Sequence, residues 1–485
     1  MKNAKMTILF LIMLSVAFMV LPACQQNGGE DKKAADSTDS EDISETKEAE
    51  SSAFDSIPVV DYGGAEFNFL IGDVAWTYRD IIAEELTGEA LHDAKYRRYK
   101  TIEDKYNIQI NQLHTAEIQY TFDLLNKSVL TDDIQYDLTY LHASGVPQTI
   151  SAGLLMDWGK LQYPDFDNPW WNKKNMNAMT VKNILLLSPS PIELQYSSAI
   201  CFNKQMVQDN ALESPYELVK SGDWTMDKFY ELCSDLSRDI NGDGRWDKED
   251  QYGFTTNNNW MLKSYLYAGN HSVLVKDEND IPQLNGNYEH LSLIVDKMMR
   301  LFTQSQASYM YEANVDGNFP ISMDSGRIFA IGMHLGEISL LRNSDIDYGI
   351  VPMPKLDKAQ QDYTGIFWGG FYSVPINAPA PDMSGIIFEA LSAESHYTIY
   401  PVFKEQHLSI KFTRDEESIN MLDMIYENIV YDMAYNYAPL DAYTNILTVL
   451  NQRKSTDVMS YMETNEPSLQ SALEKIIESY DAYVN

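Results

Sequence analysis

Residues 66 to 72 read EFNFLIG, a short apolar run that reads as a strand. ALHDAKYRRYKTIEDKY, residues 90 to 106, then has helical patterning, and YNIQINQL, residues 106 to 113, returns to a strand pattern. Strand, helix and strand in succession argue for α/β units around a central sheet. Working outward, the rest of the chain continues the alternation without a repeat of fixed period, and its 485 residues suggest two or three domains.

Upstream lies MKNAKMTILFLIMLSVAFMVLPAC, with Lys2 and Lys5, an apolar run from Met6 to Leu21, and a cysteine. The run is short for a spanning helix and, with its charged start, reads as a secretory signal over 1–23. LPAC resembles a bacterial lipobox, which implies that Cys24 carries a lipid and anchors the chain to the outer face of the cytoplasmic membrane. Residues 25 to 56 hold ten acidic and three basic residues and almost no large apolar ones. Such a segment cannot bury enough surface to offset its chain entropy, so 24–56 is expected to be a disordered acidic tether. No later stretch has the length and apolarity of a spanning helix.

The formal net charge of −35 repels phosphate backbones, which argues against nucleic acid as a partner. Beyond Cys24 only Cys201 and Cys233 remain, either one bridge or two buried thiols. The chain has no Gly-rich phosphate loop and no zinc-type His and Cys cluster.

DINGDGRWDKED, residues 239 to 250, is the clearest local motif. Asp239, Asn241, Asp243, Asp247 and Asp250 fall at loop positions 1, 3, 5, 9 and 12 of an EF-hand loop, with Gly244 at position 6 and the Arg245 carbonyl at position 7. Asp250 replaces the longer glutamate that normally closes such a loop. The preceding stretch puts Met226, Phe229, Leu232, Cys233 and Leu236 on one helical face, but QYGFTTNNNW after the loop has no helical period. With one helix instead of the two a sensor needs, structural Ca2+ is the expectation.

Several stretches, in order, resemble the extracellular solute-binding proteins of ABC transporters, the carbohydrate-type family 1. They are EFNFLIG and its Trp-containing loop, EDKYNIQI (103–110), YDLTYLHASGVPQTISAGLLMDW (136–158), AICFNKQMV (199–207), SGDWTMDKFYELC (221–233), FPISMDSGRIFAIGMH (319–334) and DYGIVPMPK (347–355). The resemblance implies a two-lobed, periplasmic-binding-protein-like fold of type II with the ligand between the lobes. Lobe one would comprise 57–190 and 366–430, and lobe two 191–365 and 431–485. The crossings would fall near 188–195 and 364–370, where Pro or Gly suits a hinge strand. It also implies ABC permease subunits as partners, a monomer, and no catalytic activity.

A sugar asks for flat aromatic faces and planar polar groups. Trp76, Tyr78 and Arg79 in the first loop, Glu193 and Tyr196 at the crossing, Trp260 after the Asn run and Trp368 in IFWGGFY are the candidates. Trp170 and Trp171 in NPWWNKK offer further faces or else pin a loop, and His334 and Glu337 are additional polar candidates. The rival reading is a secreted, calcium-stabilised glycoside hydrolase, which needs two carboxylates at a set separation. An adhesion or scaffold protein is the third. No nucleophile elbow and no His-Glu-x-x-His helix is present.

Overall fold

The computed structural model describes residues 55, 57–72, 82–115, 117–192, 197–257, 259–312, 321, 323–341, 346–367, 369–406 and 416–484. Cys24 and nearly all of the tether lie outside them. Among the described residues no helix is long and apolar enough to cross a membrane.

EFNFLIG forms most of β1 (Ala65–Gly72), in parallel register with β2 (Ile108–Thr115), so that Ala65 faces Ile108. On the other side β1 pairs in parallel with β3 (Leu138–Leu141). Phe67, Phe69, Leu70 and Ile71 are all buried, as expected for a central strand covered on both faces. β2 is at the edge and alternates, with Ile108 and Ile110 inside and Gln109 and Asn111 outside. Helix Ala90–Tyr106, capped by Glu89, packs against the long helix Pro381–Gln406. Arg98 is fully buried between them and donates to the carbonyl of Ile192 (2.7 Å) and to Ser395 Oγ (3.0 Å).

A second mixed sheet follows. Its strands are β4 (Ser198–Asn203), β5 (Tyr252–Asn257), β8 (Ser308–Tyr311), β9 (Ile328–His334) and β10 (Tyr348–Pro352), in the order β10-β4-β9-β5-β8. Between β5 and β8 lies the hairpin of β6 (Leu274–Lys276) and β7 (Pro282–Leu284). Helix Met226–Leu236 packs on this sheet through the five residues picked out by periodicity, all buried. Gly253 in β5 lets it come close, since a Cβ there would lie 2.1 Å from the Cys233 carbonyl oxygen. Cys201 and Cys233 are separate buried thiols, which settles the cysteine alternative.

The chain then forms β11 (Gly365–Ile366) and β12 (Phe371–Ser373), and β12 joins the first sheet antiparallel to β3. β11 pairs with β13 (Ile429–Val430) in a two-residue parallel ladder. The Asn175 amide extends that ladder, donating to the Ile429 carbonyl (2.6 Å) and accepting from Tyr431 N (3.3 Å). Backbone bonds between Ser188 and Tyr372 lay the 188 stretch beside β12. Helix Glu416–Glu427, which the sequence reading groups with 57–190, packs on β10 of the second sheet. There Ser418 Oγ lies 2.6 Å from the Tyr216 hydroxyl and accepts from Ile350 N at 3.2 Å. The closing helix Val458–Ser479 packs on β7, and beyond it the Tyr483 hydroxyl returns to the Ile150 carbonyl at 2.9 Å.

Candidate ligand-binding site

Strand directions decide which loops meet. Ser198 at the start of β4 pairs with His334 at the end of β9, and β5 runs parallel to β9. The chain therefore enters β4, and leaves β5 and β9, at one end of the second sheet. In the first sheet Phe371 at the start of β12 pairs with Leu141 at the end of β3, which runs parallel to β1. The chain entering β12 and the chain leaving β1 and β3 share one end of that sheet. Strand ends of this kind, in open α/β sheets, are where ligands bind.

At the β5–β9 end, helix Trp260–Ala268 begins three residues after Asn257, whose side-chain oxygen accepts from Asn259 N (2.9 Å). Trp260 is only partly buried. One of its faces rests on the His334 imidazole, with centroids 4.4 Å apart and planes 15° from parallel. Beneath them His334 Nδ1 lies 3.2 Å from Ser198 Oγ, which lies 2.7 Å from Ser264 Oγ. Burial pushes His334 down to about 3, so a neutral ring supports the indole at neutral pH. Glu337 accepts from the His334 backbone N–H (3.1 Å), and burial raises its carboxyl to about 7. One turn on, Lys263 Nζ is 2.9 Å from Asp441 Oδ1. An indole with one face covered by a neutral ring and the other left partly exposed suits a ligand that offers C–H faces.

Trp260, His334 and Glu337 are thus brought together. Trp76, Tyr78, Arg79, Glu193, Tyr196 and Trp368 lie outside the described residues. Trp170 and Trp171 prove to be core: both are buried and donate their indole N–H to Glu389 on helix Pro381–Gln406, at 2.9 Å and 3.3 Å. The same carboxylate accepts from Asp165 N and Asn168 Nδ2, both at 2.8 Å. Sequence reasoning missed Glu389, Ser198 and Ser264, which carry no motif; Asn257 and Asn259 were visible in the Asn run.

In the Asp239–Asp250 loop the oxygens face the loop's own backbone. Asp239 accepts from Gly242 N (2.7 Å) and Gly244 N (2.9 Å), Asn241 from Asp243 N, Asp243 from Arg245 N, and Asp247 from Glu249 N. Asp250, fully buried, accepts from Ile240 N and Asp247 N. Gly242 and Gly244 take positive φ, 73° and 77°, as such a tight loop requires. Among the described residues no group of three or more His, Cys, Asp or Glu side chains is arranged to hold a metal.

No protein-family profile matches the chain, and no curated protein matches it in sequence. Solved structures do resemble it in fold. One is a cyclo/maltodextrin-binding protein complexed with maltotetraose, 16% identical, TM-score 0.56, matched over 87% of this chain and 99% of that one. Another is an extracellular solute-binding protein from Staphylococcus aureus in complex with maltose, 11% identical, TM-score 0.57, over 87% and 99%. A third is the galacto-N-biose/lacto-N-biose I-binding protein of an ABC transporter from Bifidobacterium longum in complex with lacto-N-biose, 12% identical, TM-score 0.57, over 85% and 98%. With its two mixed sheets, the chain has the type II periplasmic-binding-protein fold.

Proposed function

We propose that this chain is the extracellular substrate-binding lipoprotein of an ABC importer, which captures a sugar or oligosaccharide between two lobes and delivers it to a membrane permease. The observation that carries this reading is the half-covered Trp260 face at the strand ends of a fold shared with saccharide-bound proteins. Trp76 and Arg79 follow β1, Glu193 and Tyr196 precede β4, and Trp368 precedes β12, so all five stay in the proposed ligand site by their place in the chain. The lobes are proposed as 57–190 with 366–430 and 191–365 with 431–485, except that helix Glu416–Glu427 is assigned to the second lobe because it packs on β10. Cys24 is proposed as the lipid anchor at the cell surface, and Cys24→Ser should move the protein from the membrane to the soluble fraction.

The hydrolase reading needs two carboxylates set across a scissile bond, and turnover separates it from binding. The test is a saccharide panel read by thermal shift and tryptophan fluorescence, with a parallel assay for new reducing ends. Stabilisation without new ends is expected. Cleavage would return the hydrolase, and silence across the panel would remove the saccharide assignment.

Structural calcium in the Asp239–Asp250 loop is a secondary proposal that rests on spacing, and it requires the carboxylates to turn inward from their backbone partners. Chelation should then lower the melting temperature, and Asp243→Ala should abolish that shift. Equal melting with and without chelator would reduce the loop to an acidic turn.

A further inference from the structure

A depression of about 450 Å³ opens on the flank of the second sheet, and its lining shares no residue with the Trp260 site. Its walls are the turn after helix Pro215–Ser221, the loop from Lys355 to Tyr363 after β10, and Asn428 after helix Glu416–Glu427. The lining carries Lys220, Lys355 and Lys358 beside Asp223 and Asp362, and Lys220 also lies 3.1 Å from Glu217. Two of the lysines are already paired. Lys220 Nζ is 2.6 Å from Glu417, and Lys358 bonds Asp223.

Lys355 differs from both. The residue is 4% exposed, yet its Nζ donates only to the Gln360 carbonyl (2.9 Å) and sits 5.1 Å from the centre of the Tyr363 ring. Among the described residues no carboxylate lies within ion-pairing distance of it. Its backbone is held on both sides, donating to the Trp224 carbonyl and accepting from Met226 N, so the side chain is delivered to this place. An ammonium has three N–H donors, and buried lysines are rare without a countercharge. The Gln360 carbonyl and the Tyr363 ring face leave N–H donors of the ammonium open to a polar depression, where Asp223 is near enough to sense its charge.

We propose that this depression is a second binding site, separate from the saccharide cleft, for a small oxyanion whose carboxylate or phosphate group is taken by Lys355, with the exposed Lys220 and Lys358 at the rim. The probes are sodium phosphate and sodium citrate, titrated into the full chain without saccharide at constant ionic strength and followed by calorimetry and thermal shift. Saturable binding of at least one is expected, and the tighter of the two identifies the group. Lys355→Met should weaken it by about tenfold or more. Because a buried change can unfold the protein, Gln361→Glu is the second variant: the residue is exposed, lines the depression, and would add a repelling charge that weakens binding several-fold. Gln109→Glu, on the edge of the first sheet, should leave the affinity unchanged. Absence of saturable binding by either anion, or binding that both Lys355→Met and Gln361→Glu leave intact, overturns the proposal.

Discussion

NPWW at 168–171 and NNNW at 257–260 both open on asparagine and end on tryptophan, yet the two regions use the indole in opposite ways. In the first, Trp170 and Trp171 are 4% and 7% exposed, and Glu389 takes both N–H groups. Trp171 also packs on Phe388 and Phe166, at 5.3 Å and 5.0 Å. In the second, Trp260 keeps partial exposure and leans on one neutral ring. The two stretches share their first and last residues. What differs is whether a distant helix brings a buried acceptor to the ring nitrogen, turning the indole into structure instead of surface.

The contrast breaks most readily at Glu389. Glu389→Ala should lower the free energy of unfolding by about 3–5 kcal/mol, because it strands two buried indole donors and removes the acceptor of a part-buried amide and backbone N–H. Urea denaturation measures this, and the protein that remains folded should bind saccharide at parental strength. Stability near the parent's would mean that this cluster is as dispensable as a surface feature.

Trp260→Ala should show the reverse division. Loss of a stacking platform weakens saccharide binding by about 1–3 kcal/mol, while unfolding changes by less than for Glu389→Ala. Calorimetric affinity beside the melting curve makes the comparison, and full-strength binding would move the platform elsewhere.

The smallest effect lies in pH, where the two regions should slope in opposite directions. His334 is lowered to about 3 from 6.5, so between those values the unfolded chain holds a proton that the native one lacks. Its contribution is complete above about 6.5 and is lost as pH falls toward 3. Glu389 is raised to about 7 from 4.5, so its contribution is complete below 4.5 and is lost as pH rises through 7. Glu337, also raised to about 7, adds a slope of the second sign beside His334. The readout is therefore each variant minus the parent, with His334→Asn removing the first slope and Glu389→Gln the second. Parallel pH profiles for parent and variants would leave the two rings electrostatically alike.

The fold was legible wherever local patterning carried it. EFNFLIG and YNIQINQL became neighbouring parallel strands, and the run from 90 to 106 is a helix with those bounds, because burial of alternate or helical faces is written within a few residues. Of the candidate site, Trp260, His334 and Glu337 were named from the sequence, Trp260 because the Asn run marked a loop. Its support by His334 depends on the β5–β9 pairing, and the fate of Trp170 depends on a carboxylate 219 residues away, neither of which leaves a trace in spacing. The Asp239–Asp250 loop shows the converse: its spacing was plain, but the same oxygens that suit a cation also suit the N–H groups of a tight turn.

Cys201 and Cys233, buried and unbridged, bear on how such a protein could be made and watched. Its described body owes nothing to an oxidant, so chain assembly outside the cell would proceed equally well with or without air. The pair also serves as a built-in clock. A maleimide can reach either sulfur only when strand β4 or helix Met226–Leu236 parts from its neighbours, so the rate of alkylation counts those openings, and a saccharide that holds the body shut should slow it.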